Sequence, residues 1–263
     1  MRDNRDMSND GLNSPPDGVE GVELKVTLGG TQVDAGLREF NLDPSDAERR
    51  EIFFCERADV HGDRIMLPLL ARGIILRVRQ ILGSPDDSTV KLRGPEGSVD
   101  PDLWSRRTQA FGDVARIEGD WTADRHLVSA SLDSEVEGGR IDEVVADRPH
   151  QPRRLLSDAQ AELLADLLVG LDGVVILDPV HARKWKRGAG RLGAEVVAEL
   201  WELDDGLRFL ELSMRVDVDD DPGRAQRRLE DSVRDRGLVI DAQQQTKSSN
   251  VLERLVKAAV RRP

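Results

Sequence analysis

The 263-residue chain contains one cysteine, Cys55, which excludes an internal disulfide. A chain of this length buries enough apolar surface to fold without covalent staples. No run of about eighteen apolar residues is present, so no helix is expected to cross a bilayer. The stretch from Met1 to Gly18 lacks the apolar segment of a secretory signal and is made of Asn, Asp, Ser, Gly and Pro, the composition of a disordered leader. The folded part is therefore expected over residues 19 to 263, in a reducing cytoplasm. Basic charge is also short: 38 Lys and Arg stand against 50 Asp and Glu, a formal net charge of -12. A general nucleic-acid or membrane-surface binder needs a basic excess, so neither partner is expected. Any anion this chain holds must be gathered by a local basic cluster.

What is present is alternation. Val22, Leu24, Val26 and Leu28 alternate with Glu23, Lys25 and Thr27, the period of a strand with one apolar face. Ile52 to Phe54 reads as a second strand. A short helix is expected over Met66 to Arg72, ended by Gly73, before a hairpin of Ile74 to Ile81 with Thr89 to Arg93. Val114 to Thr122 alternates again. Residues 124 to 170 carry no strong strand signal; their clearest element is a helix opened by the capping box Ser157 and Gln160, with Leu163, Leu164, Leu167 and Leu168 as its stripe. Val174 to Leu177, Glu195 to Leu203 and Leu207 to Val218 read as later strands, the last two joined by the turn Asp204, Asp205, Gly206. Helices near Pro222 to Arg236 and Lys247 to Val260 close the chain. The class is α+β.

Residues two apart on a strand point the same way, so the polar faces can be read directly. Glu23 pairs with Lys25, Arg77 with Arg79, Lys91 with Arg93, and Arg116 with Glu118 and Asp120; Glu211, Ser213 and Arg215 repeat the arrangement late in the chain. Arginines and lysines doubled on adjacent strands repel one another unless something negative lies between them. A shared anion site removes that cost, whereas a solvated sheet face accounts for any one pair taken alone.

The run from Leu69 to Arg79, with Gly73 before Arg77 and Arg79, followed by Thr89, Val90, Lys91, Leu92 and Arg93, resembles the CYTH, or triphosphate tunnel metalloenzyme, family. Gly21 to Lys25 is similar to a degenerate form of its opening E-x-E-x-K motif, Arg116 to Asp120 to its R-x-E-x-E strand, and Gly206 to Ser213 to its late G-x-F-x-E-x-E strand. The resemblance implies an antiparallel eight-stranded β-barrel with peripheral helices that holds a triphosphate or polyphosphate. It implies that Lys25, Arg77, Arg79, Lys91, Arg93 and Arg116 contact phosphate, with Lys25, Arg77 and Arg79 nearest the chemistry; Arg183, with Lys184 and Lys186 as the alternatives on the same segment, would add a basic strand beside them. It implies that Glu23, Glu118, Asp120, Glu199 and Glu211 hold Mg²⁺ or Mn²⁺, for which carboxylates and phosphate oxygens are suitable ligands. Hydrolysis of a phosphoanhydride is the expected reaction; cyclisation of ATP is a related one.

Two positions depart from the pattern. Gly21 stands where the family's first glutamate is expected, and Ser213 where its last is expected. Each removes a carboxylate, so a noncatalytic module that binds polyphosphate or nucleotide is the alternative reading. His61, His126, His150 and His181 lack the spacing of a zinc site. Gly188, Gly190 and Gly193 lack the ending of a P-loop and are expected in a hairpin connection. Cys55 is expected in the core, and Trp104, Trp121, Trp185 and Trp201 in packing.

Overall fold

The computed structural model describes residues 19–61, 64–94, 114–122, 125–147, 151–188, 192–240 and 247–261. The predicted leader lies outside the described residues, as do Trp104, His150 and Gly190. The chain opens with β1 (Gly21–Gly29), α1 (Gln32–Glu39) and β2 (Glu48–Glu56), then a two-stranded ribbon of β3 (Asp59–His61) and β4 (Arg64–Met66). There follow α2 (Pro68–Ala71), β5 (Ile74–Ile81), β6 (Asp86–Gly94), β7 (Val114–Thr122) and β8 (Arg125–Val136). The middle holds α3 (Arg140–Ala146), α4 (Asp158–Asp166) and the short β9 (Val175–Ile176). The chain ends with β10 (Val180–Arg187), β11 (Val196–Glu202), β12 (Arg208–Val216), α5 (Pro222–Arg234) and α6 (Lys247–Arg261).

The large sheet runs β10-β11-β12-β1-β7-β8-β6-β5-β2, and β2 pairs back onto β10, so nine strands close into a barrel with β9 hydrogen-bonded to one end of β2. This corrects the expected eight antiparallel strands in two respects. The ring has nine members, and β1 runs parallel to β7, with Glu23 opposite Asp120. A parallel pair cannot be closed by a hairpin, so nothing in the local sequence announces it. The segment expected to lack strand character contains β8, the longest strand of the barrel, in which Val128, Ala130 and Leu132 alternate with Ser129, Ser131 and Asp133. Helix α4 is capped as predicted, with Ser157 and Gln160 bonding reciprocally, but it ends at Asp166 and leaves Leu168 exposed rather than on the stripe.

The barrel is apolar outside and charged inside. Outward Val22, Leu24, Val26 and Leu28 of β1 and Leu210, Leu212 and Met214 of β12 are buried under Val33 of α1 and Ala225, Leu229 and Val233 of α5. Leu76, Val78, Val90, Ala130 and Leu132 are likewise covered by Ile141 and Val144 of α3 and Leu163 and Leu164 of α4. Each such side chain contributes about 1.5–3 kcal/mol when fully buried, so the helices are held by the strands' outer faces and the inner faces are left to chemistry. Gln226 of α5 also donates to the backbone carbonyl of Lys25, 3.2 Å away. Inside, one end is closed by a different cluster: Ile52, Phe54, Ile75 and Trp201 pack against Val251, Leu252, Leu255 and Val256 of α6. No helix among the described residues is long and apolar enough to cross a membrane.

A charged tunnel as the candidate functional site

The barrel encloses a cavity of about 390 Å³ whose walls carry nine basic and six acidic side chains. Four strands supply six cations named from the sequence: Lys25 from β1, Arg77 and Arg79 from β5, Lys91 and Arg93 from β6, and Arg116 from β7, joined by Arg50, Lys184 and Arg215 from β2, β10 and β12. Glu23, Glu118, Asp120, Asp133, Glu199 and Glu211 complete the lining, with Phe54, Ile75 and Trp201 at the closed end. In a chain with a net charge of -12, the inside of the barrel gathers an enclosed excess of positive charge.

Asp120 is the electrostatic centre of one wall. Its carboxylate accepts from Lys25 at 2.8 Å and from Arg93, and lies 3.4 Å from Lys91. Burial opposes the charge, but Arg93, Lys25 and Lys91 outweigh it and hold the carboxyl well below the usual range. Lys25 also pairs with Glu23 at 2.7 Å. Burial disfavours the ammonium, and Asp120, Glu23 and Glu211 more than compensate, so Lys25 is raised and stays charged. Lys91 fares differently: burial, with Arg93 and Lys25 nearby, brings its pKa down to about 8 despite Asp120. Arg77 is lowered to about 10 by burial and by Arg79.

Further along the same strands, with β5 and β8, the charges are arranged in pairs. Arg79 makes a bidentate contact to Asp87, both bonds 2.7 Å. Asp133 accepts from Arg116 and, at 2.6 Å, from Thr89, which in turn accepts from Arg77 at 3.3 Å. The buried Nε atoms of Arg77, Arg93 and Arg116 have no partner. Unpaired buried guanidinium donors in a basic cavity are what a polyanion with many acceptor oxygens would satisfy.

No protein-family model and no curated protein sequence matches this chain. Solved structures do. HpAC1 from Hippeastrum, described as a candidate adenylyl cyclase with a dominant triphosphatase activity, superposes over 87% of this chain and 93% of its own at 15% identity, with a TM-score of 0.56. A candidate adenylate cyclase from Bacillus halodurans covers 88% of this chain and 96% of its own at 9% identity, with a TM-score of 0.54. The fold is that of the CYTH, or triphosphate tunnel, family.

The tunnel brings together Lys25, Arg77, Arg79, Lys91, Arg93 and Arg116 with Glu23, Glu118, Asp120, Glu199 and Glu211. Arg183 is not with them. It is on the barrel's outer face, opposite Leu200 in register and paired with Glu202, while Lys184, one residue on and opposite Glu199, lines the tunnel. Periodicity could not choose between the two, because Ala182 and Trp185 bury both faces of β10. Two further lining residues carry no sequence signal: Arg50 precedes a run buried on both faces, and Asp133 sits in β8. Arg215, which the sequence places on one polar face with Glu211 and Ser213, lines the tunnel as well.

Among the described residues, no three His, Cys, Asp or Glu side chains converge as a ready-made metal cage. The donor set nonetheless suits Mg²⁺ or Mn²⁺ that arrives on a substrate, since Mg²⁺ is commonly held by one or two carboxylates plus phosphate oxygens. Glu199 and Glu211 face each other across β11 and β12 and both line the tunnel, so they are the pair that fits this role. Glu199 also lies 3.8 Å from Arg50, Asp120 is shared among three cations and Glu118 is paired with Arg215 at 2.7 Å, so a metal would compete with an ion pair at each of these.

Proposed function

We propose that the tunnel binds a triphosphate-type polyanion, whether inorganic triphosphate or a nucleoside or other organic triphosphate, and hydrolyses one of its phosphoanhydride bonds with Mg²⁺ or Mn²⁺. The observation that carries this reading is the enclosed excess of cations, nine against six acids, in an acidic chain. Arg77, Arg79, Lys91, Arg93 and Arg116 line the walls from several strands, so a linear anion would be gripped along its length and held for in-line attack. Lys25, kept charged by Asp120 and Glu23, offers a fixed ammonium to the developing charge. A bound divalent metal, held by Glu199 and Glu211, would neutralise charge on the phosphoryl oxygens. Hydrolysis forms one P–O bond from water and breaks one P–O–P bridge. The triphosphatase activity named for HpAC1 supports hydrolysis over cyclisation.

The second reading, a binding module without turnover, is favoured by Gly21 and Ser213 and by the ion pairs that occupy Asp120 and Glu118. Phosphate release from tripolyphosphate and from ATP, with Mg²⁺ and with Mn²⁺, decides between them when run beside a binding titration. Turnover supports the hydrolase, binding without turnover the module, and neither ends both. Arg77→Ala is expected to weaken tripolyphosphate binding by about ten- to a hundredfold, the value of a hydrogen bond to a charged group. Glu211→Gln is expected to lower turnover while metal-free binding is kept.

Binding should also depend on pH through Lys91, whose pKa is about 8 against an ordinary 10.5. An anion needs the ammonium, so affinity falls as pH rises through 8, and binding near pH 8 takes up a proton. The stability sign is opposite: between about 8 and 10.4 the unfolded chain holds a proton that the folded chain has released, so stability from this group rises with pH. Titration of tripolyphosphate against the wild type and Lys91→Arg from pH 7 to 9.5 isolates the effect, because ionisation of the ligand is common to both. Parallel pH profiles would rule Lys91 out.

A further inference from the structure

Gly21 begins β1, inside a barrel, where a glycine forfeits side-chain packing and costs conformational entropy. What its bareness admits is Arg215. A β-carbon on residue 21 would lie 2.9 Å from the Arg215 Nε and 3.1 Å from the carbonyl oxygen of Val216, so the guanidinium rests on uncovered backbone. Its Nη1 forms an ion pair with Glu118 at 2.7 Å and its Nη2 lies 4.0 Å from Glu20. The Arg215 side chain is 46% exposed and lines the tunnel away from the apolar closed end, so an entering ligand can reach it.

We propose that Arg215 is a ligand-binding residue of the tunnel mouth, holding an anionic group of the polyanion where a carboxylate at position 21 would instead call for a divalent metal. This rests on the tunnel being a polyanion site. A guanidinium presents two parallel donors to phosphate oxygens and needs no metal to do so. Glu118 holds the fork in place while the tunnel is empty and is exchanged for the ligand, so Gly21, Arg215 and Glu118 act as one unit. A side chain at residue 21 would displace the flexible guanidinium and would also press on the β12 carbonyl of Val216, which must give by a few tenths of an ångström. The consequence is that one end of the anion binds without divalent metal.

The test is calorimetric titration of the full chain with inorganic tripolyphosphate in chelator-treated buffer, then with Mg²⁺ added. The wild type is expected to bind without metal. Arg215→Gln and Gly21→Glu should each weaken that binding about tenfold, or about 1.4 kcal/mol, and the double variant no more than the worse single. Gly21→Ala serves if the glutamate variant does not fold. Glu118→Gln should tighten metal-free binding in the wild type but not in Arg215→Gln, because it removes the competitor for Arg215; a general loss of negative charge from the lining would tighten both equally. Unchanged metal-free affinity in Arg215→Gln overturns the proposal, as does wild-type binding that appears only with Mg²⁺, and both leave the tunnel reading intact. No binding under either condition removes the tunnel reading and this inference with it.

Discussion

Asp120→Asn should lower stability by about 3–5 kcal/mol, and tripolyphosphate should restore much of the loss. Lys25, Lys91 and Arg93 have side chains only 11%, 17% and 14% exposed, and one carboxylate answers all three. Asparagine keeps the size of the side chain and removes its charge, leaving Lys91 and Arg93 to repel each other and Lys25, which keeps its ion pair with Glu23. At this chain length the loss corresponds to a fall in Tm of about 10 °C. A polyanion in the tunnel supplies the missing negative charge, so its stabilising shift should be larger in the variant than in the wild type. The acid limb gives an independent check. The folded pKa of Asp120 is depressed, so its contribution is complete above the unfolded value near 4 and is lost as pH falls through the folded one. The variant should accordingly lose less stability than the wild type on acidification below pH 4. Equal melting temperatures, or equal shifts with tripolyphosphate, would show that the three cations do not depend on this carboxylate.

The inner faces of β1, β5, β6, β7 and β12 were legible because each strand has a covered apolar face and a charged one, so parity alone says which residues share the tunnel. Parity fails where both faces are apolar. In β10, Ala182 is buried toward the closed end of the tunnel and Trp185 under the outer helices, which hid the exchange of Arg183 for Lys184. In β2, Phe53 and Phe54 are buried on opposite faces, which hid Arg50. Parity also fails where both faces are small: Ser129, Ala130 and Ser131 gave β8 no visible stripe, and Asp133 was lost with it. Closure through nine strands and the parallel contact of β1 with β7 are nonlocal and leave no short-range trace. The place of Arg215 over Gly21 depends on two strands meeting, so the sequence showed a missing glutamate and not the cation that covers the position.

Gly73 links the most readable motif to the site, and Gly73→Ala is expected to cost about 3 kcal/mol or more. The buried carboxylate of Glu56 accepts from the backbone of Leu69 and Leu70, at 3.0 and 2.9 Å, and fixes α2 at the entrance to β5. The chain then turns at Gly73 with φ +71°, and the Gly73 carbonyl accepts from the Arg93 amide at 2.7 Å. A β-carbon there would lie 2.0 Å from the Arg93 carbonyl oxygen, a backbone atom that cannot move aside as a flexible side chain can. Gly83 supplies the control: its φ is +83° with no atom within 4 Å of the added carbon, so Gly83→Ala should cost only about 1–2 kcal/mol for the left-handed backbone. Urea midpoints of the two variants measure the difference, and similar values would show that the contact with Arg93 relaxes. If the contact is rigid, the Gly73 variant must also shift β6 at Arg93, so that guanidinium leaves Asp120 and tripolyphosphate binding weakens, while the Gly83 variant binds as the wild type does.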